Sequence, residues 1–345
     1  MKVLVTGHRG YIGVVLVPAL IEAGHEVVGL DSYLFEGCDL TTGAAEIPAH
    51  RLDVRDAGVE HVHGLDAVIH LAGISNDPLG DLNPHCTFDI NHLAAVHMAR
   101  LAKAAGVGRF LFSSSCSLYG AAGDEPLDER ASFNPVTPYG RSKVLAERDI
   151  GALAGDDFSP TFLRNGTVYG VSESLRGDLV VNNLVGLAYT TGRVEMKSDG
   201  TPWRPLVHVE DVARAFVAAL EAPRELVHGA AFNVGRTGEN YRIRDVAAIV
   251  ADAVPSSTIS FADGAGPDLR NYRVNCDRIA EVLPEFQPRW TVPLGAAELR
   301  DAYENAGLTA EQFVSGRFLR IKHVLELLGS GRIDSSLRWR AAAAA

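Results

Sequence analysis

The chain begins MKVLVTGHRGYIG (residues 1–13), and this stretch decides the predicted fold. Residues 2–6 form an apolar run typical of a buried strand, and residues 14–23 have a helical composition. The glycines between them follow the pattern G-x-x-G-x-x-G, which lets the backbone turn tightly and approach a pyrophosphate at the helix N-terminus. Taken alone, the glycines also suit a plain strand–helix turn. The cofactor contacts predicted for this turn are Gly7, Gly10, Tyr11, Ile12 and Gly13.

The second predicted strand supports a dinucleotide as the ligand of this turn. It spans residues 26–31 and ends in Asp31, 18 residues after Gly13. A carboxylate there accepts hydrogen bonds from the adenosine ribose and repels a 2′-phosphate. We therefore expect NAD rather than NADP, although Arg9 in the turn is a residue that accommodates such a phosphate. Later strand ends give further expected cofactor contacts at Asp53, Val54, Leu71, Ala72 and Gly73, although each of these positions suits a plain strand-end turn at least as well.

Strand-like and helical segments alternate through the first half of the chain. The predicted strands lie at residues 51–54, 67–72, 109–113 and 161–164, and the predicted helices at 91–105 and 138–153. This alternation is typical of parallel βαβ units. We therefore predict an α/β fold with a doubly wound parallel Rossmann sheet.

After residue 165 the rhythm changes to short mixed segments rich in glycine and proline, which predict a smaller, interleaved C-terminal substrate lobe. Two of its segments, 206–209 and 231–234, are expected to return to the main sheet. An amphipathic pattern over residues 309–328 predicts a C-terminal surface helix. The expected divisions are a Rossmann domain at 1–165, a substrate lobe at 166–340 and a tail at 341–345.

A tyrosine and a lysine, Tyr139 and Lys143, lie at i,i+4 spacing in the second predicted helix. The spacing puts phenol and ammonium on one helix face. A tyrosine that acts as a base near pH 7 needs its pKa lowered by about three units, roughly 4 kcal/mol, which nearby cations can supply. Ser115, at the end of the preceding strand, is placed to bind the same substrate hydroxyl. Taken singly, these motifs also suit a surface pair and a serine-rich loop.

Composition and charge narrow the class of protein. The 345 residues carry a formal net charge of −11, which opposes phosphate-rich polymers, so no nucleic-acid partner is expected. The four cysteines form no C-x-x-C pair, and no uncharged apolar run of about 18 residues occurs. These features predict a cytoplasmic protein with reduced thiols and no membrane partner. His61, His63 and His70 lack metal-ligand spacing, so no metal is expected.

Jointly, the motifs resemble the extended short-chain dehydrogenase/reductases of the NAD-dependent epimerase/dehydratase family, from residue 1 to about Trp290. The glycine turn, Asp31, H-L-A-G at 70–73, S-S-x-x-x-Y-G at 114–120 and Y-x-x-x-K at 139–143 occur in the family's order. The resemblance implies that Ser115, Tyr139 and Lys143 form the catalytic triad. It also implies a homodimer built from the helix after Pro84 and the 138–153 helix.

The same resemblance implies roles for several further residues. Asn91 is expected to support the active-site helix and to count among the cofactor contacts. Asn165 is expected at the substrate diphosphate and Arg204 at a phosphate, while Arg270 is expected either at a phosphate or in a surface ion pair. The full expected substrate set is Ser75, Ser115, Ser117, Asn165, Asn182, Arg204 and Arg270.

The two positions after Ser115 discriminate among members of the family. In this family, sugar-nucleotide 4,6-dehydratases carry Asp-Glu at these two positions. UDP-glucuronate decarboxylases are similar to them in carrying an acid at the second position. GDP-mannose 3,5-epimerase and GDP-fucose synthase carry a cysteine at the second position. Here the positions are Cys116 and Ser117. Serine at its normal pKa is a poor carbanion-forming base, so the chain is most similar to the 4-epimerases, with Cys116 expected to be a buried packing thiol.

We therefore expect an NAD-dependent epimerase that acts at C4 of a nucleotide-diphosphate sugar through a transient 4-keto intermediate. A nucleotide-sugar 4-ketoreductase or dehydrogenase is the alternative, and a non-catalytic dinucleotide-binding sensor is a remote one. Two departures from 4-epimerase sequences leave the sugar open. They are the segment Ser75-Asn76-Asp77-Pro78-Leu79 and the long tail at 308–339.

Overall fold

The computed structural model describes residues 1–41, 43–75, 77–266 and 270–340, with the side chains of 263–266 excepted. The predicted tail at 341–345 and Asn76 of the unusual segment lie outside these residues. The strands are β1 (Lys2–Thr6), β2 (Glu26–Asp31), β3 (Ala49–Arg51), β4 (Ala67–His70), β5 (Arg109–Ser115), β6 (Ala121–Leu127), β7 (Ser159–Asn165), β8 (Thr167–Tyr169), β9 (Arg193–Ser198), β10 (Trp203–His208), β11 (Ala231–Val234), β12 (Asn240–Arg242), β13 (Thr258–Gly266) and β14 (Asn271–Val274).

A π-helical stretch at Asp89–Ala94 joins the third and fourth α-helices. The α-helices are α1 (Gly13–Glu22), α2 (Asp77–Leu82), α3 (Pro84–Phe88), α4 (Ala95–Ala104), α5 (Pro138–Gly151), α6 (Val180–Thr191), α7 (Val209–Glu221), α8 (Arg224–Val227), α9 (Ile243–Ala253), α10 (Asp277–Val282), α11 (Val292–Asn305), α12 (Ala310–Phe313) and α13 (Arg320–Gly329).

The main sheet has seven strands in the order β11-β7-β5-β4-β1-β2-β3. All six neighbouring pairs are parallel. The prediction of a doubly wound parallel sheet is therefore confirmed. The strand order reverses between β1 and β4, and such a reversal leaves a crevice at the carboxyl ends of the strands.

Apolar side chains cover both faces of this sheet, as alternation along a strand requires. Val3 and Val5 of β1 belong to one core cluster, which also contains Phe216 of α7. Leu4, between them, belongs to a second cluster on the opposite face with Phe110 of β5 and Met98 of α4. The first strand is thus fixed from both sides, which holds the glycine turn that follows it.

The two segments predicted to return to the main sheet behave differently. Residues 231–234 do so as β11, which pairs with β7. Residues 206–209 do not, because β11 already occupies that edge of β7. Instead β10 pairs in parallel with β8 and antiparallel with β12. A third core cluster, with Leu184 and Leu299, fills this part of the molecule.

Two further segments differ from their predicted form. The short third strand ends at Arg51, because Asp53 accepts a hydrogen bond from the N–H of Arg55 at 2.9 Å and starts a 3₁₀ turn. The helix predicted at 309–328 is broken into α12 and α13. Phe313 and Phe318 are both buried in the third cluster. Residues five apart point about 140° apart on one helix, so a continuous helix could not bury both. No helix of the described ranges is long and apolar enough to cross a bilayer.

Candidate active site

A continuous cleft of about 1100 Å³ opens at the carboxyl ends of β1, β4 and β5. This is the place where a doubly wound sheet binds its ligands. Pockets for one drug-sized ligand measure about 300–1000 Å³, so the cleft is large enough for more than one small ligand. The residues that line it divide into a glycine end, a central tyrosine and lysine, and an arginine end.

The glycine turn closes one end of the cleft. Gly7 has φ of +73°, a left-handed conformation that favours glycine. A Cβ on Gly7 would lie 2.9 Å from the backbone N of Ala72, and one on Gly13 would lie 2.4 Å from the carbonyl oxygen of Gly7. No side chain caps the N-terminus of α1, where the N–H groups of Val14 and Leu16 donate to the carbonyls of Gly10 and Ile12. The predicted contacts Gly7, Gly10, Tyr11, Ile12 and Gly13 all line the cleft.

The two acidic strand-end residues have different local partners. Asp31 accepts hydrogen bonds from the N–H of Arg9 at 3.0 Å and from the N–H of Tyr33 at 2.7 Å. Each carboxylate oxygen keeps a further lone pair, so Asp31 can also accept from ribose hydroxyls. Asp53 forms an ion pair with Arg55 at 2.6 Å. The cleft is lined by Asp31, Asp53, Val54, Leu71, Ala72 and Gly73.

The predicted catalytic residues lie together at the centre of the cleft. Lys143 Nζ lies 5.8 Å from the ring centroid of Tyr139, its neighbour one turn earlier on α5. It also donates a hydrogen bond of 2.7 Å to the carbonyl oxygen of Ser113 at the end of β5. Ser115, two residues further on, lines the same cleft as Tyr139 and Lys143. A strand end and a helix start therefore bring phenol, ammonium and hydroxyl to one wall.

Burial sets the protonation of this group in the protein alone. Desolvation raises the pKa of Tyr139 to about 12, and a hydrogen bond with Ser115 partly opposes the shift. Desolvation lowers the pKa of Lys143 to about 8, which the negative charge of Glu147 partly opposes. A cation near the phenol would lower the pKa of Tyr139. Positive charge added beside the phenol would therefore favour its phenolate form.

Asn91 lies behind the cleft rather than on its wall, in contrast to its predicted place among the cofactor contacts. It is 1% exposed. Its amide accepts from the N–H of Ile74 at 2.7 Å, donates to the carbonyl of Ile74 at 2.8 Å and donates to Ser142 Oγ at 3.3 Å. It sits in the π-helical stretch, a form of helix that is frequent at functional sites. Asn91 thereby joins the segment after β4 to α5 and is a positioning residue.

A buried ion pair fixes α5 against the sheet from below. Arg164 of β7 and Glu147 of α5 approach to 2.7 Å, with side chains 6% and 7% exposed. Glu147 also accepts a hydrogen bond of 2.5 Å from Ser114 Oγ. These contacts hold the strand that ends in Ser115 to the helix that carries Tyr139.

The arginine end of the cleft contains most of the predicted substrate residues. Arg204 is 6% exposed and donates to the carbonyl of Trp203 at 2.8 Å. Arg270 is ion-paired with Asp77, the first residue of α2, which also lines the cleft. Both arginines line the cleft, as do Ser75, Ser115, Ser117 and Asn165.

Asn165 leaves one polar atom without a partner among the described residues. Its Nδ2 donates to Ser113 Oγ at 3.1 Å, while its buried Oδ1 accepts no hydrogen bond. In this orientation Asn165 suits a ligand hydroxyl. A diphosphate oxygen needs the NH2 group instead, so the predicted role requires the amide to turn by about 180°.

Asn182 does not line the cleft, so its predicted role as a substrate contact is not supported by its position. It is fully buried and donates to the hydroxyl of Tyr11 at 3.2 Å while it accepts from the N–H of Gly170 at 3.0 Å. Its neighbour Asn183 is on the cleft wall. Successive residues of α6 point about 100° apart, so an error of one residue exchanges a core position for a cleft position.

Sequence reasoning missed several charged residues of the cleft wall. Arg176 donates to Ser75 Oγ at 2.7 Å and pairs with Asp178 at 2.7 Å. Although burial opposes it, Arg176 holds the pKa of Asp178 below its usual value. The Arg-x-Asp spacing in SESLRGDLV was the available signal, but it resembles a solvated pair. The charged residues of the wall that were missed are Asp77, Asp81, Arg176, Asp178, Glu195, Lys197 and Arg320.

The positions after Ser115 carry no carboxylate. Cys116 is fully buried and donates to the carbonyl of Arg164 at 3.1 Å, and burial raises the pKa of its thiol. It is therefore a packing residue. Within the described ranges, no group of three or more side chains is placed to bind a metal ion.

The fold and the cleft together define a dinucleotide-dependent enzyme with a tyrosine–lysine pair. A sequence profile of the NAD dependent epimerase/dehydratase family matches residues 3–235, and the chain belongs to this family. The prediction of NAD as cofactor is confirmed. The glycine turn fits it, since the backbone there leaves no room for a Cβ at Gly7 or Gly13.

Relatives and solved structures cover most of the chain. It is 30% identical to the UDP-glucose 4-epimerase of Mycolicibacterium smegmatis over 322 residues, which is 88% of this chain and 99% of that protein. It is 29% identical to the mouse UDP-glucose 4-epimerase, over 86% of this chain and 99% of that one. The structure of MoeE5 in complex with UDP-glucuronic acid and NAD superposes with a TM-score of 0.76 at 27% identity, covering 89% of this chain and all of that one.

Proposed function

We propose that this protein is an NAD-dependent epimerase that inverts C4 of a UDP-linked sugar. The observation that carries the proposal is the position of Ser115, Tyr139 and Lys143 on one wall of a cleft whose far end is the glycine turn. The UDP moiety is proposed from the relatives and from MoeE5, which was solved with UDP-glucuronic acid and NAD.

NAD, when bound, accepts a hydride from C4 of the sugar and returns it. In the proposed mechanism the Tyr139 phenol oxygen takes the proton of the sugar 4-hydroxyl, and Ser115 Oγ orients that oxygen. Lys143, held by the carbonyl of Ser113, supplies positive charge beside the phenol. Once the 4-keto sugar has rotated within the cleft, the hydride would return to C4 on its other face and Tyr139 would give the proton back to the C4 oxygen. The reaction is then redox-neutral over one turnover.

The diphosphate end of the substrate is proposed to bind where Arg204 and Arg270 meet the cleft. Guanidinium groups suit phosphate because their planar fork binds two oxygens. An anchored diphosphate lets the sugar rotate about its linkage while the nucleotide stays in place. Binding energy from this remote group then serves the reaction at C4.

The absence of a carboxylate after Ser115 favours epimerisation over water loss. A dehydratase must remove a proton from carbon and protonate a leaving hydroxyl. Cys116 is buried away from the cleft, and Ser117 presents only a hydroxyl. Transfer at C4 needs no second acid or base beyond Tyr139.

We also propose a homodimer through the helices that flank the active site. Leu93 of the π-helical stretch is 56% exposed and Leu82 of α2 is 40% exposed. Large apolar side chains that stay exposed on these helical segments are available to a protein partner. Light scattering coupled to size exclusion should give twice the monomer mass of 36.9 kDa. The monomer mass at micromolar concentration would contradict this part of the proposal.

The experiment is an NMR assay of UDP-glucose, UDP-galactose and UDP-glucuronate with the purified protein and no added NAD. The expected result is interconversion of a C4 epimer pair at many turnovers per active site. A stoichiometric release of NADH instead would make the protein a dehydrogenase. Conversion to a 4-keto-6-deoxy product would make it a dehydratase.

A further inference from the structure

The C-terminal segment at residues 308–340, here named the strap, packs against two segments that border the cleft. One follows β2 and the other follows β4. In the segment after β2, the carbonyl of Ser32 accepts a hydrogen bond of 2.7 Å from Trp339 Nε1, and the carbonyl of Leu34 lies 2.9 Å from His323 Nε2. The two acceptors lie one and three residues after Asp31. The strap is thus fastened beside the place of the adenosine ribose.

The strap also packs against the segment that follows β4. Val324 and Leu327 are buried in one cluster with Ile74 and Leu79. The strap itself contributes four residues to the cleft wall, which are Leu319, Arg320, Ile321 and Leu337. The strap therefore forms part of the wall of the cleft.

Arg320 is the charged residue that the strap brings into the cleft. It is 3% exposed. Its Nη2 donates to Ser174 Oγ at 2.7 Å, and its guanidinium carbon lies 4.0 Å from the ring centroid of Phe35. Its Nη1 is buried and has no hydrogen-bond partner among the described residues. A buried donor that is left open on a cleft wall indicates a ligand acceptor.

The surroundings of Arg320 favour an anion. Burial lowers the pKa of Arg320 to about 10; the positive charge of Arg176 adds to the shift, and the carboxylates of Asp178 and Asp39 partly oppose it. Arg176 is already paired with Asp178. A buried guanidinium beside a second cation is costly unless negative charge reaches it. Arg320 is also the first residue of α13, whose N-terminus has no side-chain cap.

The glycine turn supplies the position of that anion. Ser172, two residues before the Ser174 that holds Arg320, donates to the carbonyl of Tyr11 at 2.8 Å. A short segment thus connects Arg320 directly to the turn predicted to bind a pyrophosphate. Arg204 and Arg270, at the other end of the cleft, serve the substrate diphosphate in the proposed function.

We propose that Arg320 binds the NAD pyrophosphate from the side opposite the glycine turn and that the strap closes over the adenosine half of the cofactor. The strap then sets the rate at which NAD leaves the enzyme. This inference rests on NAD binding in the cleft and not on the identity of the sugar. A retained cofactor suits a redox-neutral reaction, since NAD is regenerated in each turnover.

The test compares release of bound NAD from R320Q, R320K and the control R300Q. Arg300 lies outside the cleft wall on α11 and pairs with Asp301. Each full-length protein is loaded with NAD, mixed with excess isotopically labelled NAD, and sampled by mass spectrometry. A charge-assisted hydrogen bond is worth enough that R320Q should release NAD about tenfold faster or more. R320K should lie between R320Q and the wild type, and R300Q should match the wild type.

Parallel titration with UDP separates the two diphosphate sites. The inference is overturned if R320Q releases NAD at the wild-type rate, or if it weakens UDP binding instead. If R320Q does not fold, W339F removes the hydrogen bond to Ser32 and part of the ring that packs under Arg332, and it should speed NAD release about fivefold. Unchanged release from a folded W339F overturns the role of the strap. Wild-type epimerisation with unchanged release in the variants defeats this inference and leaves the proposed function standing.

Discussion

Lys143 Nζ lies 5.8 Å from the ring centroid of Tyr139 and donates a hydrogen bond of 2.7 Å to the carbonyl of Ser113. The ammonium is therefore fixed to the end of β5 and placed beside the phenol, rather than bonded to it. This arrangement makes Lys143 an electrostatic partner of Tyr139. The positive charge of Lys143 must be retained at working pH for that role.

Lys143 predicts a pH-dependent stability of the cofactor-free protein. Burial lowers its pKa from 10.5 to about 8. Between these values the unfolded chain binds a proton that the native state does not, so native stability rises with pH across this window. Below about pH 8 Lys143 is protonated in both the native and the unfolded state. Its burial then lowers the free energy of unfolding by the full amount, about 3 kcal/mol.

The variant K143M removes this titration. Its free energy of unfolding in urea should therefore lack the rise between pH 8 and pH 10 that the wild type shows. The measurement is a pair of urea titrations for each protein at the two pH values. An equal change with pH in both proteins would show that Lys143 is not desolvated as described.

The ion pair of Arg164 and Glu147 predicts a large loss of stability on removal of one partner. E147Q leaves a buried guanidinium without its carboxylate, which should cost about 3–5 kcal/mol of unfolding free energy. D301N, which breaks an exposed pair with Arg300, should cost less than about 1 kcal/mol. Urea unfolding measures both, and similar losses in the two variants would contradict the assigned roles.

The glycine turn predicts the loss of cofactor when a methyl group is added at its tightest position. A Cβ at Gly13 would lie 2.4 Å from the carbonyl oxygen of Gly7, whereas one at Gly108 would meet no atom within 4 Å. G13A should therefore purify with little NAD, while G108A should retain the wild-type content. The NAD released on acid denaturation gives the stoichiometry. Full occupancy in a folded G13A would exclude the proposed cradle.

Arg204 predicts a split between substrate binding and chemistry. It lines the cleft beside the ring of Tyr272, and in its proposed role as a phosphate anchor R204Q should raise KM for the UDP sugar about tenfold. Because the diphosphate contact is present before and during the reaction, kcat should change much less. Steady-state kinetics gives both values. A fall in kcat at constant KM would move Arg204 from the substrate anchor to the reacting group.

The parts of this site that sequence predicts are those that local spacing determines. The glycine turn needs β1 and α1 on either side of it, and Tyr139 and Lys143 need only one turn of helix. Both follow from apolar periodicity and from i,i+4 geometry. The same holds for Ser115, which ends a strand buried on both faces.

The parts that sequence missed depend on distant contacts. Arg320 reaches the cleft because the predicted long helix breaks between Phe313 and Phe318, both of which are buried. Asn182 lies in the core rather than in the cleft because one residue of register in α6 turns the side chain by about 100°. No local pattern contains either fact, since each is decided by packing between segments far apart in the chain.

The central claim is that one bound NAD takes a hydride from C4 and returns it to the same sugar. The direct test uses the UDP sugar substrate deuterated at C4, with the purified enzyme in ordinary water and no added cofactor. The predicted result is an epimer that keeps its deuterium at C4, with no accumulation of NADH. Loss of the label to solvent, or one equivalent of reduced cofactor released for each product formed, would contradict the account.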